Sequence, residues 1–580
     1  MVCLFAVVAI ASIAIVSARI GRWPSLSSPE TVAALGGLPR DGLPPRPRTA
    51  PAAAPAPPDE APAPDVEQRL KSLSLEAKVS QLFIVGFMGQ RIEQGLSDTI
   101  KARMPGAIIV FGRNIKSAEQ VSNLCYSAQI ASFDAVGLPL LIAVDQEGGN
   151  VIRIHTAPPL PSALAFGSTH DPKLVREAGL GTGRLLRSLG FNMNLAPVMD
   201  VTDPTRDKFI GTRTFGNDPQ LVTDLSAAFA DGLQTSGVLP TAKHFPGHGG
   251  LNEDSHLGTP TKLDSLAEMT KRDLVPFTEA ARSTSPPAMM IAHVAYPKLD
   301  PSGLPATFSK PIVTDLLRKK LGFDGIVVTD DIEMAGASAI RDPPERAVRA
   351  IEAGADLVMI GWNKRLQRSL RAAVLAAVKN GRIAESRIDE SVRRLLRAKA
   401  RFASFERPTR PDKKAIVDAL DDETLRGIFS RTLRSTFDRA SAQVDRAYFN
   451  ERPNSPVLVF SGTESFFRSF KDGLDEGRAT RFYRLDAEGS VHVDRIMRMN
   501  PEALGVFYVT GTRSAALANA LSDDVASRMV LVNTEAGSAL IKPKKFRQVV
   551  DVAFRHAAAG GLTAKTFFPA PARVPATKDR

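Results

Sequence analysis

Eight short apolar runs, spaced along the first two thirds of the chain, constrain its fold more than any other feature. Segments with helical periodicity separate most of them, for example REAGLGTGRLLRSLGF and IVTDLLRKKLGF. Short, nearly all-apolar runs that alternate with helices are typical of a parallel sheet buried on both faces. Eight such units within about 300 residues predict an α/β fold of the (β/α)8 TIM-barrel type, with a doubly wound open sheet as the alternative. The runs are centred near Phe83, Ile108, Ile142, Leu195, Ala242, Ile291, Val327 and Val358.

The pattern changes after the eighth run and predicts a second domain. RIDESVRRLLRAKARF is typical of a helix that closes the barrel, so we assign the barrel domain to residues 66–405. The segment ERPTRPDKK has the composition of a linker. Beyond it, PVLVF, TRFYRL, LGVFYV and RMVLVN alternate with helical stretches. These runs predict a smaller α/β domain with an open sheet over residues 411–571.

The N-terminal region differs from both domains. Residues 1–18 are apolar from Val2 to Ala18, which is short for a membrane span and favours a secretory signal peptide. An uncleaved membrane anchor is the alternative. Residues 19–65 are dominated by a Pro/Ala-rich stretch that cannot build a core, and we expect an extended tether. A signal peptide and a membrane anchor would both place the remaining chain outside the cytoplasm, in the periplasm or cell envelope.

Charge and cysteine content exclude several function classes. The net charge is +12, but the 74 Lys and Arg are mixed with 62 Asp and Glu, and no basic run is interleaved with aromatic residues. This pattern favours a solvated basic surface and no nucleic-acid partner. The two cysteines are Cys3, in the leader, and Cys125, so we expect no disulfide in the mature chain and no cysteine-based metal site.

Polar residues stand at the ends of four of the apolar runs. In a (β/α)8 barrel, the C-terminal ends of the strands meet at one face, where functional groups collect. A single polar residue at such an end often caps the next helix, but four polar ends together predict a shared pocket. The residues are Asp145, Lys243, His244, His293, Asp330 and Asp331.

The stretch KHFPGHGGLNEDSH, from Lys243 to His256, holds three of the eight histidines. Asp330 follows a fully apolar run, and a carboxylate fixed there can act as a nucleophile or stabilise an oxocarbenium ion. Such chemistry needs a proton donor, which a histidine oriented by a neighbouring carboxylate, as in Asp254 and His256, can supply. Zinc binding is the alternative for the histidines. HFPGH contains Pro and Gly, unlike the helical HExxH motif, and we predict no metal.

Several segments in a fixed order also resemble glycoside hydrolase family 3, and most closely its bacterial β-N-acetylglucosaminidase branch. KHFPGHG followed by DSH carries the resemblance, together with VDQEGGNVIRI, NLAPVMDV, IGTRTFGNDP and GFDGIVVTDDIEMAGA. It extends over residues 73–402. Two departures from the usual pattern occur: Asn150 replaces the Arg of DQEGGRV, and Gly250 and Leu251 stand where the family often has the DT of PGHGDT.

The resemblance implies a retaining hydrolase for β-linked N-acetylglucosamine, acting on peptidoglycan fragments without a metal or cofactor. Asp330 matches the nucleophile, and His256 matches the general acid/base with Asp254 as its partner. His248 is expected to be structural. The positions that match sugar-binding residues, or line the same pocket, are Asp145, Arg153, Arg213, Lys243, His244 and His293.

Three alternatives to this activity stay open. A phosphorylase is chemically feasible, because a histidine acid/base does not repel phosphate as a carboxylate does. A β-glucosidase of the same family is a weaker alternative, because those enzymes usually lack DSH. The third is a non-catalytic wall-binding protein with a decayed site, against which the intact Asp330, Asp254 and His256 argue. The sequence does not indicate the aglycone or the oligomeric state.

Overall fold

The computed structural model describes most of the chain beyond the N-terminal region. The predicted signal peptide or anchor and almost all of the predicted tether lie outside the described residues. So do Asp254 and His256, although Ser255 between them is described. The described residues are 63–93, 95–156, 158–204, 206–207, 209–251, 255, 258–283, 287–441, 452, 454–474, 478–485, 493–509, 512–534, 546, 548–552 and 563.

Eight parallel strands form a closed barrel, which confirms the predicted fold class. Each strand pairs with the next in chain order, and β1 closes the ring by pairing Ile84 with Met359 of β8. The open sheet considered as the alternative for this part of the chain is therefore wrong. All eight predicted runs give strands, with Leu195 one residue beyond the short β4. The strands are β1 (Phe83–Val85), β2 (Ala107–Ile109), β3 (Leu141–Val144), β4 (Met193–Asn194), β5 (Leu239–Phe245), β6 (Ala288–Ile291), β7 (Ile326–Asp331) and β8 (Leu357–Ile360).

Helices surround this barrel, and most begin with a side-chain cap. Ser117, Asp171, Asp218 and Asn363 each accept hydrogen bonds from first-turn amides of the helix that follows. A π-helical segment, Pro311–Lys320, precedes β7. The helices are α1 (Ala63–Ser72), α2 (Leu75–Gln81), α3 (Leu96–Arg103), α4 (Ala118–Val136), α5 (Ala163–Thr169), α6 (Pro172–Ser188), α7 (Pro219–Thr235), α8 (Leu266–Lys271), α9 (Leu274–Arg282), α10 (Pro343–Ala353), α11 (Lys364–Lys379), α12 (Glu385–Phe402), α13 (Lys413–Leu420) and α14 (Glu423–Ser441).

Alternate residues of each strand pack inside and outside the barrel. Ile84 of β1 and Met359 of β8 belong to the cluster that fills the interior, whereas Phe83 and Val85 pack toward the helices. Because both faces are buried, nearly every strand position is apolar. This is why the strands appear as continuous apolar runs, and why a polar residue at a strand end is informative.

Helix α12 closes the N-terminal end of the barrel, as predicted from RIDESVRRLLRAKARF. Leu395, Ala398 and Phe402 join the interior cluster. Lys399, on the same helix, is fully buried and donates a 2.5 Å hydrogen bond to Oε1 of Gln81. The opposite end of the barrel is the mouth, where the loops after the strands meet.

The C-terminal region contains a separate five-stranded parallel sheet in the order β10-β9-β11-β12-β13. The sequence predicted four of these strands and an open sheet. It missed QVVDV, which forms the edge strand β13. The strands are β9 (Val457–Ser461), β10 (Thr480–Arg484), β11 (Leu504–Val509), β12 (Met529–Thr534) and β13 (Gln548–Val552), and the helices are α15 (Glu464–Gly473), α16 (Val493–Met499), α17 (Thr512–Ala520) and α18 (Asp523–Ala526).

The segment between barrel and sheet is helical. Helix α13 begins at Lys413, inside the predicted linker, and α14 contacts α5, α6 and β13. Arg431 of α14 donates a hydrogen bond to Glu177 of α6. The chain therefore adds two helices beside the barrel before it enters the second sheet. The domain limits themselves stay a prediction.

No helix within the described part of the chain is long and apolar enough to cross a membrane.

Candidate active site

The mouth of the barrel gathers the polar residues that the sequence places at strand ends. Asp145 directly follows β3, Lys243 and His244 are among the last three residues of β5, and His293 lies two residues beyond β6. Asp330 is the penultimate residue of β7. The pairing register shifts between β5 and β6 and again between β7 and β8, next to these residues. Such irregularities re-aim side chains, and they occur at three of the four strands that carry the polar groups, β5, β6 and β7.

A buried network of charges occupies one side of the mouth. Nζ of Lys243 lies 3.1 Å from Oδ1 of Asp145 and 2.6 Å from Oε1 of Glu147. The guanidinium of Arg213, which ends a 3-10 turn after β4, donates two hydrogen bonds to Glu147, of 2.8 and 2.9 Å. Arg153 lies 3.7 Å from Asp145. Burial alone would raise the pKa of Glu147, but Arg213 and Lys243 outweigh it and hold that pKa well below its usual range.

Asp200 holds the two histidines of KHFPGH. Its Oδ2 lies 2.7 Å from Nδ1 of His244, and its Oδ1 accepts a 2.7 Å hydrogen bond from the backbone amide of His248. Burial and the neighbouring His244 lower the pKa of His248 to about 4, so that ring is neutral at physiological pH. The ring packs 4.6 Å from Phe209. These contacts suit a structural role for His248, which stays a prediction.

Asp330 is surrounded by groups that favour its ionised form. Burial opposes ionisation, but His293, His244, the amide of Asp331 and Lys243 together lower the pKa of Asp330 below its usual value. The Asp331 amide donates a 2.8 Å hydrogen bond to Oδ1 of Asp330. His293 is held in turn by Thr307, 2.8 Å away at Nδ1, and by the Asp331 carbonyl, 3.1 Å away at Nε2. A fixed carboxylate anion therefore faces the mouth.

The neighbouring Asp331 is in a different electrostatic state. Burial, with the negative charges of Glu333 and Asp330, raises the pKa of Asp331 to about 7. Two adjacent carboxylates thus differ: Asp330 favours its ionised form, whereas Asp331 keeps its proton to a higher pH. Paired titratable groups with separated pKa values are common where one carboxylate must carry charge during a reaction.

The loop that carries DSH is anchored at its base. Lys262 is buried and donates to the carbonyls of Gly249, at 2.6 Å, and Gly247, at 3.3 Å, and to Oδ1 of Asp273, at 2.6 Å. The Ser255 carbonyl accepts a 2.8 Å hydrogen bond from the Gly336 amide in the loop after β7. Ser255 therefore connects the histidine loop to the Asp330 loop. The positions of Asp254 and His256, and the predicted flexibility of residues 247–258, stay predictions.

Two charged residues of the site were missed by the reasoning from sequence. Glu147 lies two residues after Asp145 in DQEGG, and Asp200 follows β4 in NLAPVMDV. Both segments contributed to the family resemblance, but neither residue was selected. The sequence signal that could have identified both residues is a charged side chain a few positions after a strand end, rather than at the end itself.

Donors and acceptors alternate around this pocket. Cations from Lys243 and Arg213 stand beside the carboxylates of Asp145 and Glu147, which suits a ligand with several hydroxyl groups. Among the described side chains, no group of three or more His, Cys, Asp or Glu is arranged to hold a metal ion. Fold and pocket together are those of a (β/α)8-barrel protein with a polar, hydroxyl-binding type of site at the mouth of the barrel.

The chain belongs to glycosyl hydrolase family 3. The model of that family's N-terminal domain matches residues 74–398. A β-hexosaminidase of Pseudomonas aeruginosa is 37% identical over 276 residues, which is 47% of this chain and 80% of that enzyme. β-Hexosaminidase A of Pseudoalteromonas piscicida is 32% identical over 329 residues, or 53% of this chain, and the match spans about half of that enzyme's length, 55%.

One solved structure extends the similarity beyond the barrel. A glycoside hydrolase family 3 β-N-acetylglucosaminidase from Paenibacillus sp. str. FPU-7 superimposes with a TM-score of 0.71 at 30% identity. The match covers 86% of this chain and 97% of that one. The resemblance recognised from the sequence is thereby confirmed at the level of the family.

Proposed function

We propose that this protein is a retaining β-N-acetylglucosaminidase with Asp330 as its nucleophile. The observation that carries the proposal is the environment of Asp330, a carboxylate kept ionised at the end of β7 within a pocket of sugar-binding character. A retaining glycosidase needs such an anion close to the anomeric carbon. The relatives named β-hexosaminidase and β-N-acetylglucosaminidase support N-acetylglucosamine as the sugar.

In this mechanism the network around Lys243 holds the sugar. Asp145, Lys243, Arg213 and His244 bind its hydroxyl groups, while Asp330 attacks the anomeric carbon and forms a glycosyl-enzyme ester. His256, oriented by Asp254, donates a proton to the departing oxygen. It then removes a proton from the water that cleaves the ester.

The decisive experiment compares two adjacent carboxylates. Asp330→Asn should lower kcat for 4-nitrophenyl N-acetyl-β-glucosaminide by at least about 1,000-fold, because the nucleophile is lost. Asp331→Asn, the matched control on the next residue, should retain most of the activity. If the control variant is inactive and Asp330→Asn is active, the nucleophile is Asp331.

Product analysis tests the remaining parts of the reaction. Proton NMR of early hydrolysis should show the β-anomer of N-acetylglucosamine first, as retention requires. Adding phosphate should not yield N-acetylglucosamine 1-phosphate. Formation of that product would favour the phosphorylase alternative.

We also propose that the natural substrates are peptidoglycan fragments met outside the cytoplasm. The apolar residues 1–18 support export, and the relatives named β-hexosaminidase support an amino-sugar substrate. Release of N-acetylglucosamine from purified muropeptides, and fractionation of the native producing cells, would test the substrate and the compartment separately.

A further inference from the structure

One aromatic side chain at the mouth has no place in the proposed sugar pocket. Trp362 follows β8 after Gly361 and is 54% exposed. Exposing an indole to water is unfavourable, and exposed aromatic groups beside a site often mark a binding surface. The chain has only one other tryptophan, Trp23, in the predicted tether.

One face of the indole is covered by the loop after β2. The guanidinium carbon of Arg113 lies 3.6 Å from the Trp362 ring centroid and 4.3 Å from that of Phe111. The Phe111 and Trp362 rings are nearly parallel, at 20°, with centroids 5.6 Å apart. Phe111 and Arg113 are too close together to have an indole between them, so both lie on the same face. Trp362 nevertheless remains 54% exposed, so we take the opposite face of the indole as the one available to a ligand.

Phe111, Arg113 and Trp362 form an aromatic wall that is continuous with the interior of the barrel. Phe111 packs against the cluster that fills the barrel. A Cβ atom on Gly361 would lie 2.3 Å from Oδ2 of Asp331 and 3.3 Å from Cζ of Phe111. This close approach favours glycine at position 361 and sets the backbone just before Trp362 against the Asp331 carboxylate.

The indole is also fixed relative to Asp330. The Glu333 carboxylate accepts hydrogen bonds from the backbone amides of Trp362, at 2.6 Å, and Asn363, at 3.1 Å. The Glu333 amide donates to Oδ1 of Asp331 at 3.1 Å, and the Asp331 amide donates to Asp330. Three consecutive hydrogen-bonded steps therefore connect the proposed nucleophile with the backbone that carries the indole.

We propose that the free face of Trp362 binds the second sugar of the substrate, next to the N-acetylglucosamine that is cleaved off. This inference rests on the proposed function. The hydroxyl-binding groups that follow β3 to β5 are polar, whereas the wall from β2 and β8 is aromatic. The C–H face of a pyranose ring is apolar and packs well on an indole. The occupant is therefore a second pyranose unit of a β-linked glycan.

Binding is measured by fluorescence in the Asp330→Asn variant of the full chain, which should not turn substrate over. Titration with N,N′-diacetylchitobiose should change the tryptophan emission, whereas N-acetylglucosamine alone should not. In the Asp330→Asn/Trp362→Phe variant the emission change should disappear. An equal change with N-acetylglucosamine alone would place Trp362 in the first sugar pocket and overturn the proposal, as would chitobiose binding that leaves the emission unchanged.

Kinetics give a second readout in the otherwise unsubstituted chain. Trp362→Ala should lower kcat/KM for chitobiose by about tenfold, with an unchanged Ki for N-acetylglucosamine and an unchanged melting temperature. Trp362→Phe should recover part of this loss. Met499→Ala, which alters another exposed side chain (71%) on α16, is the control and should have no effect. An unchanged kcat/KM for Trp362→Ala would overturn the proposal. The fluorescence titration does not depend on hydrolysis. If only the proposed function fails, the wild-type protein will bind chitobiose without cleaving it.

Discussion

Oε1 of Glu147 lies 2.6 Å from Nζ of Lys243, and both side chains are buried in the mouth of the barrel. Glu147 also binds Arg213 through both of its oxygens. One carboxylate therefore neutralises and positions two cations that we assign to the sugar. The position of Lys243 and Arg213 depends on a residue that need not touch the substrate.

We expect Glu147→Gln to be strongly destabilising. The substitution leaves two buried cations short of a carboxylate, which costs about 3–5 kcal/mol when one partner of a buried ion pair is removed. The pKa of Glu147 is lowered on folding, so its contribution is present above the unfolded pKa and is lost only as pH falls far below it. Urea unfolding at pH 7 and kcat/KM measure the two effects.

A matched control exists on the outer surface of the barrel. Glu345 also binds two arginines, Arg382 and Arg349, but it is partly exposed to solvent. Glu345→Gln should cost at most about 1 kcal/mol and leave kcat/KM unchanged. Equal losses for the two variants would mean that the network around Glu147 has no special role.

We expect the effect of His256→Ala to depend on the leaving group. A natural sugar needs a proton to depart, so hydrolysis of chitobiose should slow by about 100-fold or more. An activated aryl glycoside departs unaided and should lose less than about tenfold. Asp254→Asn should give a milder form of the same pattern. His170→Ala, at an exposed histidine directly after α5, is the control. Equal losses on both substrates would indicate that His256 binds the sugar instead.

The pKa of Asp331, raised to about 7 in the folded protein, predicts a pH-dependent stability. Its usual value is 3.8, so between about pH 4 and 7 the folded state holds a proton that the unfolded chain has released. Stability should therefore fall as pH rises through this window. Asp331→Asn removes this dependence. The melting temperature of the variant should therefore rise relative to that of the wild type between pH 5 and 8. Parallel melting curves across that range would contradict the assignment.

Lys399 predicts a dependence in the opposite direction. Burial lowers its pKa from 10.5 to about 7, so the cost of burying its charge is complete below pH 7. Stability then rises between pH 7 and 10.5, because the folded state has lost a proton that the unfolded chain retains. Lys399→Met should stabilise the protein at pH 6 by on the order of 2 kcal/mol, and this gain should shrink toward pH 10. A gain that does not change with pH would show that the lysine is not neutral in the fold.

The elements of the barrel were predictable from sequence because burial on both faces leaves a local record. All eight apolar runs form strands. Helix α12 closes the barrel, as the segment RIDESVRRLLRAKARF predicted. QVVDV was not recognised as a strand, because one short run at a sheet edge differs little from a loop. The start of α13 inside the predicted linker was also not expected, since Pro and charged residues in ERPTRPDKK resemble a flexible connection.

The sequence by itself determined the fold class and the family, and it pointed to the strand-end residues of the candidate site, including Asp145, Lys243 and Asp330. These depend on local periodicity and on residue types in a fixed order. Only the tertiary structure decided that Glu147 bridges Lys243 and Arg213 and that Trp362 stands beside Arg113 at the rim. Those partners come from strands brought together by barrel closure and by local register shifts. Periodicity records which side of a strand is buried, but it carries no information about the group that a side chain meets there.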